Sequence, residues 1–167
     1  LTLVDIVKAG DPILQTVAKP VVDFGSKALY ELIEYLFFHM DHYEGAGLAA
    51  PQIGESKQIF VYGIHQNSRY PEAKPVPKTV MINPTIIEFS EDKNDSYEGC
   101  LSIPRIRGSV SRSSTIKCLA YTPEGERVER IISGFEARII QHESDHLAGI
   151  LFPARMTDMT TLKYSIN

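Results

Sequence analysis

The residues of this chain best placed to do chemistry together are His142-Glu143-Ser144-Asp145-His146. Histidines four apart on a helix project from the same face, one turn above the other, so both imidazoles can reach one metal ion. A glutamate beside the first histidine can then handle the protons of a water that the ion activates. Phe135, Ile139 and Ile150 fall on the same side of such a helix. The histidines are therefore expected to point inward, where they need a metal or other polar partners.

Two histidines do not complete a site, because a catalytic metal ordinarily takes three ligands from the protein and leaves one position open. Downstream of His146 the only acid or histidine is Asp158. Gly149 extends the pattern to His-Glu-x-x-His-x-x-Gly, but Phe152 stands where a metzincin protease places its third histidine, so that protease layout fails. The third ligand is expected upstream. Cys100 leads the candidates, because Gly99-Cys100-Leu101-Ser102-Ile103-Pro104 reads as an irregular segment able to offer a side chain and backbone amides. Cys118 sits in an apolar run at 116–120 and reads as a buried inert thiol. His39, His42 and His65 stand behind both cysteines, and His39 and His42 look like an ordinary helix end.

The elements that must carry these residues can be read from periodicity. Leu29, Leu32, Ile33, Leu36, Phe37 and Met40 recur on one face of a 3.6-residue helix, with Gly45 and Gly47 expected to end it. Ser133 followed by Glu136 predicts a capping box at the start of a second helix that runs to about Gly149. Between the helices, residues 58–64, 79–89, 114–122 and 127–132 are β-branched or alternating, with Pro123-Glu124-Gly125-Glu126 as the turn between the last two. The proline-rich stretch at 70–78 and the acidic run at 88–95 read as solvated loops. The pattern predicts an α+β fold: mixed or antiparallel β-sheets packed around a C-terminal metal-binding helix, with an N-terminal amphipathic helix.

Composition narrows the class. At 167 residues the chain is about one domain's worth, and 1–167 is expected to be a single catalytic domain. Acidic residues exceed basic ones, 21 against 17, which argues against a nucleic-acid binder that needs a basic face. The longest stretch without Asp, Glu, Lys or Arg is 58–68, too short to span a bilayer. Two cysteines allow at most one disulfide, and the opening Leu1-Thr2-Leu3-Val4-Asp5 does not read as a secretory leader. A reducing, cytoplasmic setting is expected, with no membrane or direct nucleic-acid partner and a monomeric state.

Three segments resemble, in order and spacing, the three motifs of the peptide deformylases, in their bacterial type I form. They are Gly45-Ala46-Gly47-Leu48-Ala49-Ala50-Pro51-Gln52, Glu98-Gly99-Cys100-Leu101-Ser102 and Gln141-His142-Glu143-Ser144-Asp145-His146. The resemblance implies a metal-dependent hydrolase that removes the N-formyl group from the formyl-methionine of nascent polypeptides and releases formate. It implies Cys100, His142 and His146 as metal ligands and Glu143 as the acid/base. Ferrous iron is the implied physiological metal, and zinc or nickel also suits a thiolate with two imidazoles.

The same resemblance implies that the Gln52 side-chain amide and the Leu101 backbone N–H stabilise the developing oxyanion. Gly47 would accept from the formyl amide through its carbonyl. Ala46, Glu98, Phe135 and Ile139 would line the methionine pocket, and Arg107 would touch the substrate backbone. Ala46 replaces a larger aliphatic residue common there, which implies a wider pocket. Asp145 is expected to pair with Arg112 and brace the site. Beyond Phe152 the only basic residues are Arg155 and Lys163, so the basic C-terminal helix that docks some relatives on the ribosome is not expected. The competing readings are a metallopeptidase or other amidase with the same metal–Glu143 machinery, and a non-catalytic metal-stabilised binding protein.

Overall fold

Helix α1, Lys27–His42, begins where Ser26 Oγ accepts from the Leu29 N–H at 3.0 Å and so caps an orphan donor of the first turn. Its apolar stripe, Leu29, Leu32, Ile33, Leu36 and Met40, is buried. The helix stops at Tyr43, and Glu44 takes the left-handed turn at φ 53° that glycine was expected to supply. Gly47 instead opens strand β1, Gly47–Ala49.

The computed structural model describes residues 1–166. Beyond α1 and β1, its strands are β2 (Ile59–Ile64), β3 (Val76–Phe89), β4 (Lys93–Cys100), β5 (Ile103–Ser113), β6 (Thr115–Tyr121) and β7 (Arg127–Ser133). Helix α2, Gly134–Leu147, and the short β8, Lys163–Tyr164, follow. The strands form two sheets, β1-β2-β3-β6-β7 and β4-β5-β8, and every pairing between them is antiparallel. The fold is therefore α+β, as expected, and antiparallel rather than mixed. No helix among the described residues is long and apolar enough to cross a membrane.

Strand β2 is buried along its whole length, because helices cover both faces of the sheet there. Ile59 and Val61 point to the cluster shared with α1, whereas Phe60, Tyr62 and Ile64 point to the cluster shared with Ile139, Ile140 and Leu147 of α2. A third small cluster, Cys100, Val110 and Phe152, lies against the three-stranded sheet. Helix α2 is joined to that sheet as well, since Gln141 Oε1 accepts from the Ser113 N–H at 3.1 Å and its amide donates to the Ser113 carbonyl at 2.9 Å.

Only the C-terminus of α2 is specified locally; the start is not capped as the sequence predicts. Ser133 Oγ bonds to Thr115 Oγ1 at 2.9 Å and makes no cap bond, and Glu136 is taken by Tyr62 and Arg130, so no capping box forms. At the C-terminus Gly149, at φ 77°, closes the helix: its N–H reaches the His146 carbonyl and the Ile150 N–H reaches the Asp145 carbonyl. That paired closure is a Schellman motif.

The acidic run at 88–95 is not a loop throughout, because it joins the end of β3 to the start of β4. The segment around Cys100 is likewise more regular than expected, with Cys100 as the last residue of β4. Leu36, which is fully buried between α1 and β2, tests how far the α1 face supports the sheet. Leu36→Ala is expected to cost about 2–5 kcal/mol in chemical denaturation, and a loss below about 1 kcal/mol would contradict that packing.

Candidate metal centre

Helix α2 carries His142 and His146 one turn apart, with ring centroids 5.1 Å from each other. Cys100 reaches them from the end of β4, its Sγ 3.3 Å from His146 Nε2. One donor atom from each of Cys100, His142 and His146 lies within 4.8 Å of the other two. The spacing and chemistry of the three suit a single first-row divalent ion, with a soft thiolate and two borderline imidazoles. Among the described residues this is the one grouping of His, Cys, Asp and Glu of that kind.

The remaining candidates are elsewhere. Cys118 faces the sheet core beside Met81, where burial, opposed only by Arg130, pushes its thiol up to about 11. His39 is fully buried at the end of α1, where Nε2 accepts from the Val4 N–H at 3.0 Å and Nδ1 lies 2.7 Å from the Tyr35 carbonyl. His42 and His65 are exposed.

The orientation of His142 is set by Glu98. Its Nδ1 lies 2.9 Å from Glu98 Oε1, which leaves Nε2 for a metal. The same carboxylate accepts from Arg112 Nε and Nη2, each at 2.9 Å, and from Arg138 Nη1 at 2.6 Å. Burial opposes its charge, but the His142 and Arg112 contacts outweigh burial and hold the carboxyl well below the usual range. Arg112 also donates to Asp145 Oδ2 at 2.7 Å, the expected pair, and Asp145 receives Arg155 on its other side at 3.0 Å. Burial likewise opposes charge on Cys100, yet the His146 and His142 imidazoles outweigh it and depress the thiol well below its ordinary value.

Glu143 lies on the same turn of α2 and is 4% exposed. Burial raises its carboxyl above the ordinary range, against the opposing pull of His142 and His146. A Cβ on Gly47 would stand 2.7 Å from Glu143 Oε1, so only glycine lets β1 pass this close to the carboxylate. Glu143 Oε2 and His146 Nδ1 are buried with no hydrogen-bond partner among the described residues. A carboxylate oxygen left so is costly unless the cleft supplies a donor or a cation, which accords with a metal beside it. Gln52, 2% exposed in the turn after β1, accepts from the Ala49 N–H at 3.0 Å. Its amide donates to Ser102 Oγ at 3.1 Å and points at Cys100 Sγ, 3.7 Å away.

A cleft opens over these groups, lined by Ala46, Gly47, Gln52, Glu98, Cys100, Leu101, Phe135, Ile139, His142 and Glu143. His146 lies beneath it, and Arg107 lines an adjoining groove. Glu98 borders the cleft, with its carboxylate turned to the ion pairs behind it. Arg69, Tyr70, Tyr97 and Arg138, which nothing in the sequence singled out, also border the cleft. Arg138 was within reach, since it precedes His142 by one helical turn. Arg69 and Tyr70 carried no signal, because they lie in the segment between β2 and β3, where no periodicity operates.

The family model for polypeptide deformylases matches residues 3–161. The chain belongs to the polypeptide deformylase family. Among deformylase relatives, "peptide deformylase 2" of Ralstonia nicotianae is 49% identical over 160 residues, covering 96% of this chain and 90% of that one. "Peptide deformylase 1" of Bordetella pertussis is 46% identical, covering 96% and 91%. The Met-Ala-Ser-bound class I type b peptide deformylase of Acinetobacter baumannii superposes with a TM-score of 0.90 at 41% identity, covering 93% of this chain and 99% of that one. The deformylase of Thermotoga maritima gives 0.85 at 37% identity, covering 95% and 100%.

Arg112 bridges Glu98 and Asp145, so removing it would leave Glu98 to Arg138 and His142 and leave Asp145 to Arg155 alone. Arg112→Ala is expected to lower stability by about 3–5 kcal/mol. Metal affinity, read by competition with a chelator, should weaken about 10- to 100-fold as Glu98, which orients His142, loses its paired bonds from Arg112. Unchanged affinity in a folded variant would contradict that role.

Proposed function

We propose that this chain, as a single catalytic domain spanning 1–167, removes the N-formyl group from the N-terminal formyl-methionine of nascent polypeptides and releases formate. The observation that carries the reading is the placing of the Glu143 carboxylate, raised in pKa and pressed against Gly47, beside the Cys100–His142–His146 grouping on the cleft floor. Cys100, His142 and His146 would hold one divalent ion, ferrous iron in the cytoplasm and zinc or nickel where those are supplied. When bound, that ion supplies Lewis acidity and makes water acidic enough to attack near neutral pH.

The protein's own groups do the rest. Glu143 takes the proton of the attacking water and delivers it to the departing amine, a task that suits a carboxyl lifted above its ordinary range by burial. The Gln52 amide, held through its oxygen by the Ala49 N–H, and the Leu101 backbone N–H donate to the formyl oxygen as it gains charge. The Gly47 carbonyl accepts from the formyl amide N–H. Ala46, Phe135 and Ile139 form apolar wall for the methionine side chain, with Glu98 at its edge and Arg107 toward the following residues. Nascent chains bring this substrate to the ribosome's surroundings, where the enzyme would meet it.

The test is formate release from a formyl-methionyl peptide amide, with protein prepared without oxygen and loaded with iron(II). Catalytic formate release is expected. Glu143→Gln should keep its metal and lose about 10²–10⁴-fold in turnover. Wild-type-like turnover in that variant, or cleavage of unformylated peptides in place of formate release, would overturn the reading.

A further inference from the structure

Arginines around the metal centre are answered by acids: Arg112 and Arg138 by Glu98, and Arg155 by Asp145. Arg69 and Arg107, at the mouth of the cleft, are not. No carboxylate among the described residues lies within 4 Å of either guanidinium. Yet the fold holds the two side by side. Their guanidinium carbons lie over the Tyr70 ring, 5.5 Å and 4.7 Å from its centroid, and Arg107 Nη1 donates to the Arg69 carbonyl at 3.3 Å. Two cations gathered on one ring without a counterion repel each other and attract an anion.

The segment that carries them is anchored to the site. Asn67 donates to the Glu44 carbonyl at 2.9 Å, just ahead of Gly45 and Ala46, and accepts from the Arg69 N–H at 2.8 Å. Tyr70 packs on Phe135 of α2 with ring centroids 5.2 Å apart. Arg69 Nη2 lies 3.1 Å from where a Cβ on Gly99 would stand, and Gly99 directly precedes Cys100. The guanidinium thus lies against Gly99, the residue before Cys100, and borders the cleft. Arg69, Tyr70, Tyr97 and Phe135 border both this cleft and the adjoining groove that Arg107 lines. A peptide leaving the reaction centre through that opening passes both cations within its next residues, at roughly 3.3–3.6 Å of chain per residue.

We propose that Arg69 and Arg107, braced on Tyr70, form a carboxylate-recognising subsite that favours substrates with Asp or Glu shortly after the formyl-methionine. The inference rests on the deformylase reading above. Its chemistry is charge-assisted hydrogen bonding from planar guanidiniums, which match a carboxylate in shape as well as sign.

The test compares C-terminally amidated formyl-methionyl tetrapeptides with Glu, Ala or Lys at the third residue, using the iron(II)-loaded protein. At low salt, kcat/KM for the Glu peptide should exceed that for the Lys peptide about three- to ten-fold, and the gap should shrink in 0.5 M salt, as about expected for screened charges. Arg69→Gln should narrow the ratio toward unity, and Arg69→Glu should reverse the order, a result that mere loosening of the loop would not give. Equal values for all three peptides, or an order that survives Arg69→Glu, would overturn the proposal. With the free-acid Ala peptide assayed alongside, a gain confined to that peptide would overturn it as well, since that would place recognition on a chain terminus and not on a side chain. Formate from the amidated Ala peptide reports deformylation separately, so loss of selectivity and loss of the reaction are distinguishable.

Discussion

One buried carboxylate ties together the face that carries Cys100, His142 and His146. Glu98, 3% exposed, would be several kcal/mol too costly to bury alone. Two guanidiniums and an imidazole offset that cost, and they come from two different elements: Arg112 from β5, Arg138 and His142 from α2. Because Glu98 lies two residues before Cys100 on β4, the same contacts that satisfy its charge bring the cysteine against the helix that carries both histidines. Arg112 then passes the constraint on to Asp145, and Arg155 closes it at the surface. The arrangement explains why a three-stranded sheet with only a small apolar cluster holds its place against α2.

A second constraint is steric. Glu143 is brought so near β1 that any side chain at position 47 would displace its carboxylate, and the glycine that reads as a helix stop in the sequence lets strand and carboxylate approach. The turn after β1 then delivers Gln52 to the opposite side of Cys100, held from outside by the Val7 N–H on its carbonyl at 2.8 Å. The N-terminal segment therefore braces the site although it contributes nothing to the cleft lining.

Legibility in the sequence followed the physics of each segment. The helices and β2, β3, β6 and β7 are readable because apolar residues recur at the helical or strand period. Strands β4 and β5 are not: the first five residues of β4 are exposed, and β5 contains Pro104, Gly108 and Arg105 at φ 65°. The capping box at Ser133 fails because Thr115 and Tyr62, distant in sequence, compete for the two side chains it needs. Spacing alone brings His142 and His146 together, and their inward face demanded a partner such as Cys100. The Arg112–Asp145 pair could also be anticipated. The role of Glu98 as the shared acceptor could not, since it depends on three elements converging, and the pairing of Arg69 with Arg107 across Tyr70 depends on a loop whose path only the fold decides.

If the proposed function is right, Cys100, His142 and His146 together hold one divalent ion. X-ray absorption spectroscopy of the stoichiometrically loaded protein reads those ligands directly. One sulfur and two imidazole nitrogens per ion are expected, with the sulfur contribution lost in Cys100→Ser. A fully loaded wild-type protein whose ion has no sulfur neighbour, or a spectrum unchanged by that substitution, would contradict it.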